Sequence, residues 1–85
     1  MRIYLQTPPT PDRQPRYFHL FLQEDLLGGW TLVKESGQQG SSGRITKLHF
    51  EDREQAEQAL TRTRDAQLKR GYRVVFVKGE QAPHG

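Results

Sequence analysis

RYFHLFLQEDLLGGWTLVKE, residues 16–35, decides the fold. Between Arg16 and Gln23, Phe18, Leu20 and Leu22 fall on one side of an extended chain, and Tyr17, His19 and Phe21 on the other. Apolar groups on both sides suit a strand in the middle of a sheet. The Gly28-Gly29 pair then breaks the alternation as a turn. From Trp30 to Glu35 it resumes, with Trp30, Leu32 and Lys34 opposed to Thr31, Val33 and Glu35. Two such runs joined by a short turn are a β-hairpin.

Downstream, Ser36–Gly43 is a polar loop with three glycines. Arg44–Phe50 alternates again, with Thr46, Leu48 and Phe50 on one side, so three consecutive strands make an antiparallel meander. The period then changes. Asp52 with Gln55 three residues later is a capping pair. Ala56, Ala59, Leu60, Thr63 and Ala66 recur at helical spacing and form the face predicted to pack on the sheet. Glu54 and Glu57 near the start, and Lys69 and Arg70 near the end, complement the helix dipole. Gly71 suits the position just past the helix end. These signals predict a helix over residues 53–70, followed by a strand at Tyr72–Val77. Upstream, Ile3 and Leu5 alternate with polar neighbours in residues 1–6, another strand. Residues 7–15 hold four prolines, which forbid helix and give an extended connector.

The predicted order is β-βββ-α-β: an α+β domain, one helix against an antiparallel sheet, with the first and last strands as candidates to pair. The expected organisation is a single domain over residues 1–79: strand 1–6, connector 7–15 and core 16–78, with a flexible tail at 80–85.

The 85 residues include no cysteine, so neither disulfides nor cysteine metal sites are available. No apolar run reaches the ~18 residues of a membrane span. The first residues lack the apolar segment of a secretion signal, which makes the cytoplasm the expected location. Net charge is +3 and the pI about 9.6. The excess sits in the second half: Arg44–Lys78 contains nine basic and five acidic residues.

Catalytic chemistry is not expected. Ser36, Ser41 and Ser42 lack the nucleophile-elbow setting. The glycine loop has no lysine and leads into a strand, unlike a phosphate-binding P-loop. His19 and His49 lie in strands with no third metal ligand evident. The reading is therefore a non-enzymatic binding module without metal or cofactor, and Trp30 is read as a core residue.

The succession Gln23-Glu24-Asp25-Leu26-Leu27-Gly28-Gly29-Trp30, then Thr31-Leu32-Val33-Lys34-Glu35, a glycine loop, a strand ending in Phe50 and a helix finishing in Lys69-Arg70-Gly71-Tyr72 resembles the WGR domain. That family occurs within DNA-damage-dependent poly(ADP-ribose) polymerases and as short stand-alone bacterial proteins. The resemblance covers about residues 17–75. At the place of the Trp-Gly-Arg signature this chain has Ser36-Gly37-Gln38, so only the glycine carries over. The resemblance implies nucleic-acid binding, with DNA favoured. Lys34, Arg44 and Lys47, flanking the loop with Ser36, Gly37 and Gln38, are the candidate contacts to phosphate. The alternative is a protein partner, met through the proline-rich arm or an exposed strand edge.

Overall fold

The computed structural model describes residues 1–79; the tail expected at 80–85 lies outside them. The elements are β1 (Arg2–Gln6), β2 (Arg16–Glu24), β3 (Trp30–Gln38), β4 (Arg44–Phe50), α1 (Arg53–Lys69) and β5 (Arg73–Lys78). The strands form one antiparallel sheet in the order β4-β3-β2-β1-β5. The predicted α+β class and element order hold. The doubly apolar β2 is the middle strand, and the first and last strands pair.

The core lies between α1 and one face of the sheet. Ile3, Leu5, Leu20, Leu32, Ala59 and Leu60 are buried there, ringed by Phe18, Leu22, Phe50 and Tyr72. Trp30 is half-buried on the same face, with the Arg53 guanidinium 5.1 Å from its ring centre. The helix starts as its sequence specifies: the Asp52 carboxylate accepts from the Gln55 amide at 3.0 Å. At its other end Gly71, at φ +101°, lets its own amide reach Leu68 O and the Tyr72 amide reach Gln67 O, which satisfies two end carbonyls.

Two details differ from expectation. Ala66 is exposed and Gln67 is buried in its stead, because the buried stripe running through Ala56 and Leu60 returns at position 67. The Gln67 Oε1 has no hydrogen-bond partner. The second difference is that β3 runs through Ser36, Gly37 and Gln38 instead of ending at Glu35. The Tyr17 ring explains this. It lies over Gly37 and Gly43, where a Cβ on Gly43 would collide with the Tyr17 hydroxyl and stand 2.8 Å from Ser36 O. Glycine at these positions makes room for an aromatic ring across the ladder, a device that stabilises glycine-containing strands.

The proline-rich connector is docked rather than loose. The Thr7 amide donates to Arg16 O at 2.9 Å, the Arg16 amide donates to the Thr7 hydroxyl at 2.8 Å, and the Gln39 amide donates to Pro15 O at 2.9 Å. Among the described residues no helix is long and apolar enough to cross a membrane.

Candidate functional site

Directly opposed residues of an antiparallel sheet point to the same face, and successive residues alternate. The strand registers therefore sort the paired side chains; Val75, at an irregularity in the β1–β5 ladder, has no partner. The face away from α1 carries four rows, one of them the short row Gln23, Thr31, His49 beside the hairpin turn; the other three hold the aromatic residues. Of those three, the first runs Lys78, Arg2, Phe21, Val33, Lys47; the second runs Phe76, Tyr4, His19, Glu35, Ile45; the third runs Arg73, Gln6, Tyr17, Gly37. No second layer of described structure packs on this face. At its centre stand five aromatic or imidazole rings, with cations on its borders.

Four of these rings, Tyr4, Tyr17, His19 and Phe21, hold one another. Tyr4 stacks on Tyr17 with centroids 6.1 Å apart, meets His19 edge-on at 5.7 Å, and His19 lies 5.1 Å from Phe21. The Arg2 guanidinium sits 4.6 Å from the centre of the Phe21 ring. Arg2 Nη1 donates to His19 Nε2 at 3.5 Å, which leaves the imidazole proton on Nδ1, 3.9 Å from a Glu35 oxygen. The Tyr17 hydroxyl donates to Glu35 Oε2 at 3.3 Å, and Gln39 Nε2 donates to the Tyr4 hydroxyl at 3.3 Å. Burial, then the Arg2 charge, holds the His19 pKa below its ordinary value against the opposing pull of Glu35. Burial and the adjacent Glu35 carboxylate hold the Tyr17 phenol above its own. Glu35 is thus engaged by two ring partners, while Arg73, Lys78 and Lys47 on the borders have no ion pair among the described residues.

The residues picked out in the sequence do not form one patch. Lys34, Ser36 and Gln38, with Arg44 directly opposite Ser36, lie on the helix side of the sheet. Gly37 and Lys47 lie on the open side. On the helix side, Gln38 stands opposite Arg16, which brings a cation from the start of β2 to the predicted loop region. Arg16 also lines two adjoining clefts of about 330 and 290 Å³ with Thr7, Arg13 and Arg70.

His19 and His49 are not brought together. β3 runs between their strands, and each meets carboxylates of its own. His49 Nδ1 lies 2.8 Å from Asp25 Oδ2, and its Nε2 lies 3.4 Å from Glu51. Asp25 in turn accepts from the Gly29 amide at 2.9 Å and the Leu27 amide at 3.0 Å. These bonds, with the Gly29 amide foremost, hold its carboxyl below the ordinary range. This cluster is a turn lock that closes the β2–β3 hairpin.

Sequence reading missed the aromatic face as a unit. Its signal was present in the second side of β2, Tyr17-His19-Phe21. What was lacking was the neighbour: only the β1–β2 register places Tyr4 and Arg2 beside those rings. Comparison of the chain with protein-family models, with characterised proteins and with solved structures finds no match.

Proposed function

We propose that this domain binds nucleic acid and that the open face of the sheet receives unpaired bases. The observation that carries the reading is the set of rings Phe76, Tyr4, Tyr17, His19 and Phe21 on an uncovered face, bordered by Arg2, Lys47, Arg73 and Lys78. Aromatic rings on a sheet offer stacking platforms, each worth about 1–3 kcal/mol per base, and border cations track the phosphates. Base stacking does not depend on base identity, so the expected binding is tolerant of sequence and weakens with salt. The WGR resemblance supports the same class of ligand. The Ser36 and Gln38 substitutions in the signature are consistent with contacts carried by other residues.

Phe76 is the residue to test, since it is 48% exposed and its truncation spares the core. Fluorescence anisotropy with labelled single-stranded and blunt duplex DNA and RNA, at two salt concentrations, measures the affinity. Single strands are expected to bind more tightly, and Phe76→Ala to weaken them about tenfold, the effect of losing one stacked base. Equal binding of duplex and single strand, unaffected by Phe76→Ala, would overturn the assignment of this face.

One observation favours a second reading, contact with a protein. Val74, Val75, Phe76 and Val77 on the edge strand β5 are 42–58% exposed. An apolar edge invites strand pairing. Salt separates the readings, because a strand-pairing contact is far less sensitive to it than a phosphate contact.

A further inference from the structure

We propose that Arg13, Arg16 and Arg70 form an anion site for a phosphate group on the helix side of the sheet, separate from the open aromatic face. The three arginines come from three segments: the connector, the first residue of β2 and the cap of α1. All three line both adjoining clefts, together with Thr7; Thr10 joins them in one cleft and Tyr72 in the other. Among the described residues no carboxylate lines either cleft.

Three other arginines of the chain find side-chain partners, whereas Arg44, Arg62 and Arg73 have none among the described residues. Arg64 donates twice to Asp65 and Arg53 pairs with Glu57, while Arg2 covers Phe21. Arg13, Arg16 and Arg70 have no side-chain ion pair or hydrogen bond among the described residues. Three like charges converging on one cleft repel one another, and a multivalent anion relieves that repulsion.

Each arginine is also anchored at its backbone. Arg16 is tied to Thr7 by two hydrogen bonds. Arg13 closes a tight turn by bridging to Thr10. Arg70 donates its amide to Gln67 O, just before the left-handed Gly71. A ligand therefore meets side chains carried on hydrogen-bonded backbone, and has only the side chains to order and not a loose segment. Arginine's forked donors match phosphate oxygens in pairs, and the Thr7, Thr10 and Tyr72 hydroxyls add further hydrogen-bonding groups. The end of α1 opposes an anion with roughly half a negative charge, which three full positive charges outweigh.

The chemistry is that of a phosphate group, and two sources supply it: a small phosphorylated molecule, or the backbone of a bound strand. Gln38 opposite Arg16, with Ser36, Lys34 and Arg44 beyond it on the same face, offers such a backbone a path.

The test is titration of the full chain with inorganic pyrophosphate, read by NMR at the arginine Nε–H groups and the backbone amides. Saturable shifts are expected at Arg13, Arg16, Arg70 and Tyr72. Arg16→Gln is expected to weaken binding about tenfold, the loss of a hydrogen bond to a charged group. Arg62→Gln, an exposed arginine of α1 that lines neither cleft, is expected to leave it unchanged. Shifts that do not saturate, or that persist undiminished in both Arg16→Gln and Arg70→Gln with the fold intact by amide spectrum, overturn the site. Competition then assigns the source. Displacement of a pre-bound single strand by pyrophosphate points to the backbone, and simultaneous binding points to a small molecule. Since pyrophosphate needs no aromatic face, failure here leaves the base-stacking proposal standing, and the reverse also holds.

Discussion

The two faces of this sheet are made by the same strands and kept from water by different means. On the helix side, exclusion is by shape: Leu5, Leu20, Leu32 and Leu60 are fully buried between sheet and helix. On the open side no second layer is present among the described residues. Tyr4, Tyr17, His19, Phe21, Arg2 and Glu35 cover one another instead, and Val33 beneath them is only 4% exposed. Among the described residues one helix covers one side of the sheet, and the other side is shielded by side chains alone. Rings with polar handles do that while leaving polar edges and border cations within reach of a ligand.

The sharpest probe of this contrast compares adjacent residues of β2. Leu20→Ala is expected to cost about 2–5 kcal/mol, because it empties a fully enclosed site. Phe21→Ala, one residue on and facing the other way, is expected to cost about half as much, since a half-buried ring has less area to lose. Urea denaturation of both variants gives the comparison. If Phe21→Ala costs as much as Leu20→Ala, the open face is a second core, and its rings are not free to stack on bases.

The next probe concerns how the open face meets the glycine turn. Gly43→Ala is expected to destabilise by about 1–3 kcal/mol through overpacking, since its Cβ meets the Tyr17 hydroxyl and Ser36 O. Tyr17→Phe removes the hydroxyl from that collision. In the Tyr17→Phe background Gly43→Ala is therefore expected to cost less, the residual coming from the Ser36 carbonyl. Additive costs in the double-mutant cycle would mean that Tyr17 and Gly43 do not share the contact.

The helix side has a flaw of its own in Gln67, buried with an unpartnered Oε1. Gln67→Met keeps the length and removes the desolvated oxygen. It is expected to stabilise by about 1 kcal/mol, measured as a rise in the urea midpoint. A loss of stability would show that the amide nitrogen contributes more than the oxygen costs.

These comparisons also show what was legible in the sequence. Alternation in β2 and β3, the Asp52 cap and Gly71 are local signals, and they gave the element order with boundaries close to those observed. The extension of β3 through Ser36-Gly37-Gln38 was not legible, because its cause is Tyr17, some twenty residues away in the chain. Ala66 and Gln67 were confused because both lie near the helix stripe and composition favoured alanine; only packing puts position 67 inward. The candidate site failed to cohere for a simpler reason. Lys34, Gly37 and Lys47 lie near one loop in sequence, but the pleat sends Lys34 to one face and Gly37 and Lys47 to the other. The arginine cleft needed the docked connector, whose path no periodicity encodes.

The smallest effect expected is also the one that belongs to the open face alone. His19 is held neutral by burial and by Arg2, which lower its pKa below 6.5, its ordinary value. Its unfolded form takes up a proton more readily than its folded form. Stability on this account is complete above the unfolded value, and falls as pH drops from about 6.5 towards the lower folded pKa. Asp25 acts in a separate window. Its folded pKa lies below 3.8, so its contribution is present above that value and is lost only as pH falls further, through the folded pKa. His19→Gln keeps a polar side chain on the face and removes the titration. Urea midpoints between pH 7.5 and pH 5 are therefore expected to decline more in the parent chain than in His19→Gln. Parallel declines would place the pH sensitivity elsewhere and mean that the central imidazole is wet enough to take its proton freely. The rings around it would then be a loose cluster and not the packed cover that the contrast between the faces requires.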